Sequence, residues 1–97
     1  MNEARLSARG LVVGQVENAR GVAVTAAHII TVPLGRGAGP VPEIAVLTNG
    51  MGRYKTPSLI PGLYRIRVVA NGYRVIARDV LVKRRRRSSL NFVLDPR

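Results

Sequence analysis

The chain has 97 residues, 46% of them hydrophobic, which predicts one folded domain rather than a disordered tail. It contains no Cys and a single His, which excludes disulfides and thiolate metal sites and leaves too few ligands for a His-based metal site. Sixteen Lys and Arg against five Asp and Glu give a formal net charge of +11, which favours acidic or polyanionic partners.

The polar N-terminus, residues 1–10, is predicted to be an arm that precedes a single β-sandwich domain over residues 11–95. Its only large apolar side chain after Met1 is Leu6, a candidate subunit contact. The arm lacks the continuous apolar stretch of a secretory signal, and no part of the chain has the roughly 18 consecutive apolar residues of a membrane-spanning helix. We therefore expect synthesis without a signal peptide, a cytoplasmic or particle-associated location, and no membrane partner.

The first half of the domain contains three predicted strands. Residues 11–16 and 26–32 are rich in β-branched and other apolar side chains, and residues 43–48 have a similar composition. Residues 33–42, between the second and third strands, hold three Pro and three Gly, which excludes an interior strand or helix. This segment is therefore predicted to be a long exposed connection, either a flexible linker or a functional loop.

The second predicted strand has apolar side chains on both of its faces. A period of two places Ala27 and Ile29 on one face of this strand, and we take that face as the inward one. Ile30 and Val32 then face outward together with His28. Two outward aliphatic side chains are explained either by high β-propensity with partial cover from loops or by a subunit contact, and we treat Ile30 and Val32 as candidate subunit contacts.

Residues 63–70 give the clearest strand pattern in the chain, because Arg65 and Arg67 alternate there with apolar side chains over residues 64–68. The inward face is predicted to carry Tyr64, Ile66, Val68 and Ala70, and the outward face Leu63, Arg65, Arg67 and Val69. Val69 is a further candidate subunit contact, since it is an apolar side chain on the outward face.

Residues 52–57, 73–83 and 88–95 complete a predicted set of seven strands. The alternation of residues 73–83 breaks near Arg78-Asp79, which predicts a β-bulge at that point. Three dipeptides predict tight turns between the strands of this half: Asn49-Gly50, Pro61-Gly62 with a positive φ at the Gly, and Asn71-Gly72.

Lys83-Arg84-Arg85-Arg86-Arg87 is the strongest charged cluster of the sequence. It falls between the last two predicted strands, so we predict a hairpin tip that projects five like charges. Mutual repulsion makes such a tip unfavourable unless an anion screens it. Three interpretations stay open: contact with a phosphate backbone, docking on an acidic protein surface, or a solvated tip that keeps the protein soluble.

Turn and strand residues also recur in an ordered pattern along most of the chain. The pattern comprises Gly14, Val16, Gly21, Ala27, Ile29, Thr48, Asn49-Gly50, Gly52-Arg53-Tyr54, Leu59, Pro61-Gly62, Tyr64, Gly72-Tyr73, Leu90, Phe92 and Leu94. Their order and spacing over residues 11–95 resemble the carboxypeptidase regulatory-like domain, a transthyretin-like family. The resemblance implies an all-β fold, a seven-stranded immunoglobulin/transthyretin-like β-sandwich. It implies little about function, which depends on sites that differ among members of a fold.

Catalysis is not expected, and neither a cofactor nor a small-molecule substrate is predicted. His28 is the only His, and the acidic residues are scattered, so no spacing suggests a nucleophile with its base. The transthyretin-like group includes a purine-pathway hydrolase whose site uses several His, and this chain departs from that pattern. The domain that accompanies metallocarboxypeptidases is likewise not their catalytic part.

The favoured hypothesis is a non-catalytic structural or assembly module. It would be a subunit or decoration-type protein of a larger particle or filament, such as a virion surface, and would dock through apolar strand faces and the basic hairpin. One alternative is a non-specific domain that binds nucleic acid or another polyanion, and a second is an accessory domain of a larger polypeptide. The candidate polyanion or partner contacts are Lys83, Arg84, Arg85, Arg86, Arg87, Arg65 and Arg67, with Arg74 and Arg78 dependent on the bulge.

Aromatic content limits how a polyanion could be recognised. The chain has one Phe, three Tyr and no Trp, and Tyr54, Tyr64 and Phe92 are predicted to lie in the core. Only Tyr73 is left to stack on a base or a sugar, so single-strand stacking and glycan binding are disfavoured. Nucleic acid, if bound, should be contacted through its backbone without reading of the bases.

Overall fold

The computed structural model describes residues 8–97, in which seven strands form two sheets packed face to face. The predicted all-β sandwich is confirmed, and Leu6 lies outside the described residues. The strands are β1 (Leu11–Asn18), β2 (His28–Gly35), β3 (Arg53–Lys55), β4 (Gly62–Val69), β5 (Ile76–Val82), β6 (Arg87–Ser89) and β7 (Phe92–Leu94).

One sheet is built around β1 and the other around β4. β1 pairs antiparallel with β3 on one side and parallel with β6 and then β7 on the other. β4 lies between β2 and β5 and is antiparallel to both. The chain therefore passes between the sheets several times, which brings residues distant in sequence to the same end of the sandwich.

The core lies between the two sheets and consists of the inward side chains of their strands. The predicted inward positions of Tyr54, Tyr64 and Phe92 are confirmed, and Tyr64 is completely buried. Full burial of one large apolar side chain contributes about 1.5–3 kcal/mol, so these residues dominate the stability of the fold. The remaining buried apolar residues are Val12, Val16, Val24, Ala27, Ile29, Leu59, Ile66, Val68, Val82, Leu90 and Leu94.

The predicted last strand, residues 88–95, is divided into β6 and β7 at Leu90-Asn91. The amide of Leu90 still donates to the carbonyl of Val13. Asn91 then pairs with β1 through its side chain: its Oδ1 accepts a hydrogen bond of 2.9 Å from the backbone amide of Gln15. The side-chain amide oxygen of Asn91 thus replaces one backbone acceptor. The Gln15 amide therefore keeps a hydrogen-bond partner where the main chain turns away from β1.

The predicted strand over residues 43–48 is wrong, since this segment forms only one isolated bridge, between Leu47 and His28. The segment follows Pro42 and comes close to the edge of β2 only from Val46 onward, where the amide of Ile29 donates to the carbonyl of Val46. Thr48 fixes the contact by accepting a hydrogen bond from the amide of Ala27 (2.9 Å) through its side-chain hydroxyl. The same hydroxyl donates to the backbone carbonyl of Val24.

The Pro- and Gly-rich segment begins inside β2, which corrects the prediction that residues 33–42 lie wholly outside strands. Pro33 is paired with Tyr64, and a register shift follows between Pro33 and Gly35. Proline is accepted there because β2 is an edge strand of its sheet. The loop that follows is anchored: the Tyr64 hydroxyl accepts from the amide of Gly39 (3.2 Å) and donates to the carbonyl of Ile60 (2.5 Å).

Two further local predictions are wrong. The register between β4 and β5 runs without a shift through Arg78 and Asp79, so β5 contains no bulge there. Arg78 simply occupies an inward position at the edge of the sheet, opposite Ile66. Gly62 does not have a positive φ; it is required because a Cβ at this position would overlap the backbone of Ala38.

Candidate functional site

The outward side of the sheet formed by β2, β4 and β5, called here the outer face, carries the predicted contact residues. Across the strands, Ile30 lies opposite Arg67 and Val32 lies opposite Arg65, as the alternation predicts. The outer face comprises His28, Ile30, Val32, Leu63, Arg65, Arg67, Val69, Ala77, Asp79 and Leu81.

The outer face carries three exposed large apolar side chains. Ile30, Val32 and Leu81 expose 38%, 36% and 40% of their surface, respectively, and Val69 is half-buried. Leu47 extends the face beyond β2, because it bridges to His28 from the neighbouring segment. Outward positions of sandwich strands are usually polar, so this apolar surface has no explanation within the described part of the chain.

The opposite sheet provides a contrast. Its outward positions include Gln15, which lies opposite Arg53, and Lys55, which lies opposite Val13. Val93, on β7, is 51% exposed and lies opposite Glu17. The other outward apolar side chains of β1, Leu11 and Val13, are half-buried and lie opposite Arg87 and Ser89 of β6.

The charged residues of the outer face form a short stripe. Arg65 makes a two-point contact with Asp79, with Nε–Oδ1 2.8 Å and Nη2–Oδ2 3.3 Å. The hydrogen bonds that Arg65 donates to Asp79, together with the negative charge of Asp79, raise the pKa of Arg65, and the pair neutralises its own charge. Arg67 has no ion pair with another residue of 8–97 and carries the net positive charge of the stripe.

Arg65 and Arg67 therefore share one sheet face, as predicted, but Arg78 does not join them. Its Nη1 donates to the carbonyl of Asn91, at 3.0 Å, on the side of β5 that faces the other sheet. Arg74 precedes β5, and its amide donates to the carbonyl of Asp95. The single basic surface suggested by the sequence is thus divided into separate groups.

The basic run connects β5 to β6, and these strands belong to different sheets. The predicted hairpin tip is therefore wrong: residues 83–87 form a turn at one end of the sandwich. The amide of Arg86 donates to the carbonyl of Lys83 (3.2 Å), and Arg85 has a φ of 54°. All five side chains of the run are exposed.

Residues 8–11 run alongside this turn. The amide of Leu11 donates to the carbonyl of Arg86 (3.0 Å), and the amide of Arg85 donates to the carbonyl of Ala8 (3.2 Å). Arg9 thereby comes next to the run, and its Nη1 donates to the carbonyl of Ser58 (3.2 Å). We call Arg9 together with Lys83–Arg87 the basic end.

The described residues contain no arrangement that suggests catalysis. His28 is exposed on the outer face, and within residues 8–97 no three His, Asp or Glu side chains are grouped as metal ligands would be. In the same part of the chain, no helix has the length and apolar character needed to cross a membrane.

The sequence profile of the carboxypeptidase regulatory-like domain matches residues 12–95. The chain belongs to this family. The family pattern is explained by contacts seen here: Thr48 fixes the segment beside β2, and a Cβ on Gly14 would overlap the carbonyl of Leu90. These family residues build the sandwich.

Solved structures of similar fold belong to proteins of different kinds. The Bacillus anthracis TIE protein matches 92% of this chain (14% identity, TM-score 0.71), and a streptococcal ancillary pilin matches 91% (15%, 0.71). Chlorocatechol 1,2-dioxygenase from Pseudomonas putida matches 90% (13%, 0.65). The chain spans 17%, 32% and 60% of these proteins, respectively.

At these identities the likeness concerns the fold alone. Because the structural neighbours include an enzyme, the likeness does not show whether this chain is catalytic. The family and the pilin neighbour are consistent with a non-catalytic structural or accessory module. No curated protein sequence matches the chain.

Sequence reasoning missed Arg9 and Leu81 as surface residues of interest. Arg9 is more than 70 positions from the turn it adjoins, so no local pattern reveals the contact. Leu81 could have been identified from its place between the inward Val80 and Val82, whereas the presumed bulge reversed the expected phase only before Arg78, where Ala77 lies on the outer face.

Proposed function

We propose that this domain is a non-catalytic structural module that assembles with protein partners, including further copies of itself, through the outer face. The observation that carries the proposal is the apolar surface around Ile30, Val32 and Leu81. Ile30 and Val32 are neighbours on β2, and Leu81 lies on β5 beyond the Arg65–Asp79 pair; exposed apolar side chains on one face are characteristic of protein–protein contacts. The Arg65–Asp79 pair and the charge of Arg67 would give such a contact its register rather than its affinity.

This proposal includes the finer hypothesis of a subunit or decoration-type protein of a particle or filament, such as a virion surface. The streptococcal neighbour is named as a pilin, which agrees with an assembly role, although the resemblance is one of fold. The chain spans a minor part of that protein, which equally supports an accessory domain of a larger polypeptide. A location on such a particle is part of the same proposal for this domain.

Self-assembly can be tested by light scattering on nuclease-treated protein. We expect a mass well above 10.5 kDa that persists near 1 M salt, where the Debye length is about 3 Å and charge contacts are screened. Apolar contacts are not weakened by such screening. A monomer at both low and high salt would contradict self-assembly through this face.

Two valine substitutions locate the contact. Val32→Gln should weaken association about tenfold, because an amide buried in the contact without a hydrogen-bond partner costs roughly 1–3 kcal/mol. Val93→Gln changes an exposed valine on the opposite sheet and should leave association unchanged. Equal effects of the two substitutions would show that the outer face is not the interface.

A further inference from the structure

We propose that the basic end is a single site for the phosphate backbone of double-stranded nucleic acid, and that Arg9 is part of it. This inference is independent of assembly through the outer face. The proposed site joins two segments, Arg9–Leu11 and Arg85–Arg87, which line a shared cleft of about 250 Å³.

The backbone holds these two segments together. Hydrogen bonds link Leu11 to Arg86 and Arg85 to Ala8. Gly10 permits the close approach, because a Cβ there would overlap the carbonyl of Lys83 and come within 2.9 Å of the Arg86 carbonyl. The main chain that carries the cations is therefore fixed before any ligand binds, which reduces the entropy lost on binding.

The charge of the site is mostly uncompensated. Among residues 8–97, Arg84, Arg86 and Arg87 form no ion pair with a carboxylate. The Arg9 side chain is held by the carbonyl of Ser58, which is a neutral acceptor. Arginine forms two parallel hydrogen bonds with phosphate oxygens, so such a cluster is suited to a ligand with several closely spaced phosphates.

The surroundings favour nucleic acid over an acidic protein. Protein interfaces have an apolar core, whereas the cleft of the basic end is lined by arginines, Gly10 and the half-buried Leu11. Protein–DNA interfaces are more polar and much more positively charged. Tyr54 and Tyr64 are buried and unable to stack on bases, so the site should contact the backbone of a duplex without sequence preference.

The test is a salt titration of binding to a short mixed-sequence DNA duplex. Five or six phosphate contacts predict that affinity falls roughly 10³-fold between about 50 and 200 mM salt. Absence of binding to the duplex at about 50 mM salt would overturn the proposal. Binding to polyglutamate without binding to the duplex would also overturn it and would assign the site to an acidic protein.

A matched pair of triple variants locates the contacts. Replacing Arg84, Arg86 and Arg87 with Gln should lower the slope of log K against log salt by about 3, since each phosphate contact contributes about 0.9. Replacing Arg20, Arg53 and Lys55 with Gln removes the same charge from other exposed positions and should leave the slope nearly unchanged. Equal changes in both variants would mean that only total charge matters, and the site would be rejected.

Arg9 is tested separately, because the structure alone places it here. Arg9→Gln should lower the slope by about 1, whereas Arg20→Gln should have almost no effect. Arg85 is kept in every variant because of its positive φ. Thermal melting of each variant checks that the fold is retained, and a folded Arg9→Gln protein with the wild-type slope would exclude Arg9 from the site.

Discussion

Gly14→Ala is expected to lower the free energy of unfolding by about 3–6 kcal/mol and the melting temperature by roughly 15 °C or more. Gly14 lies in β1, where Leu90-Asn91 passes over it between β6 and β7. A Cβ on Gly14 would overlap the carbonyl oxygen of Leu90 and come within 2.8 Å of the Tyr54 ring. A backbone carbonyl cannot rotate away as a flexible side chain can, so the main chain itself must shift.

The shift would also break a buried hydrogen bond, since the Leu90 carbonyl accepts the Tyr54 hydroxyl at 2.5 Å. A domain of this size has a total stability of roughly 5–15 kcal/mol, so the substitution would remove a large fraction of that stability. Gly50→Ala is the matched control, because a Cβ at Gly50 meets no atom within 4 Å and its φ is not positive. Thermal unfolding of both variants gives their melting temperatures. A Gly14→Ala protein with the melting temperature of the wild type would refute the packing argument.

Alkaline conditions are expected to destabilise the domain through Tyr54. Burial of Tyr54 raises the pKa of its hydroxyl above the ordinary 10.0, and the charge of Arg78 lowers it only in part. Above pH 10 the unfolded chain releases this proton while the native state retains it. Stability from this group is therefore complete below pH 10 and declines as the pH rises, by about 1.4 kcal/mol per pH unit.

Denaturant unfolding at a series of pH values between about 9 and 11.5 measures this slope. Tyr54→Phe removes the titrating hydroxyl and should flatten the slope, while costing about 1–3 kcal/mol at neutral pH because the buried Leu90 carbonyl loses its donor. Tyr73→Phe keeps Tyr54 and should retain the slope. If Tyr54→Phe and the wild type lose stability equally above pH 10, another group is responsible.

Much of the fold was predictable because its signals are local. Alternation over residues 63–70 is a property of consecutive side chains, and β4 indeed buries Tyr64 and Ile66 while exposing Arg65. The Asn71-Gly72 turn was predictable for the same reason, since a positive φ there favours Gly, and Gly72 has a φ of 83°. The family pattern added the order of these elements.

Other features depended on which segments meet. Residues 43–48 have the composition of a strand, but only Thr48 and its neighbours reach the edge of β2. Asn91 replaces a backbone acceptor for Gln15 across a sequence distance of 76 residues, and nothing near Asn91 in the sequence announces this role. The bulge assumed near Arg78 shows the same difficulty, because an exposed sheet edge accepts a charged residue at an inward position.

The sequence by itself determined the all-β class, the inward and outward faces of the longest strands, the high positive charge and the location of the basic run. These properties follow from residue chemistry and from the period of two of a β-strand. Only the tertiary structure decided that Arg9 adjoins Lys83–Arg87, that Arg65 is neutralised by Asp79, and that the apolar outer face extends from Leu47 to Leu81. Each of these depends on the pairing of distant strands, which is set by how the whole core packs rather than by any local stretch of sequence.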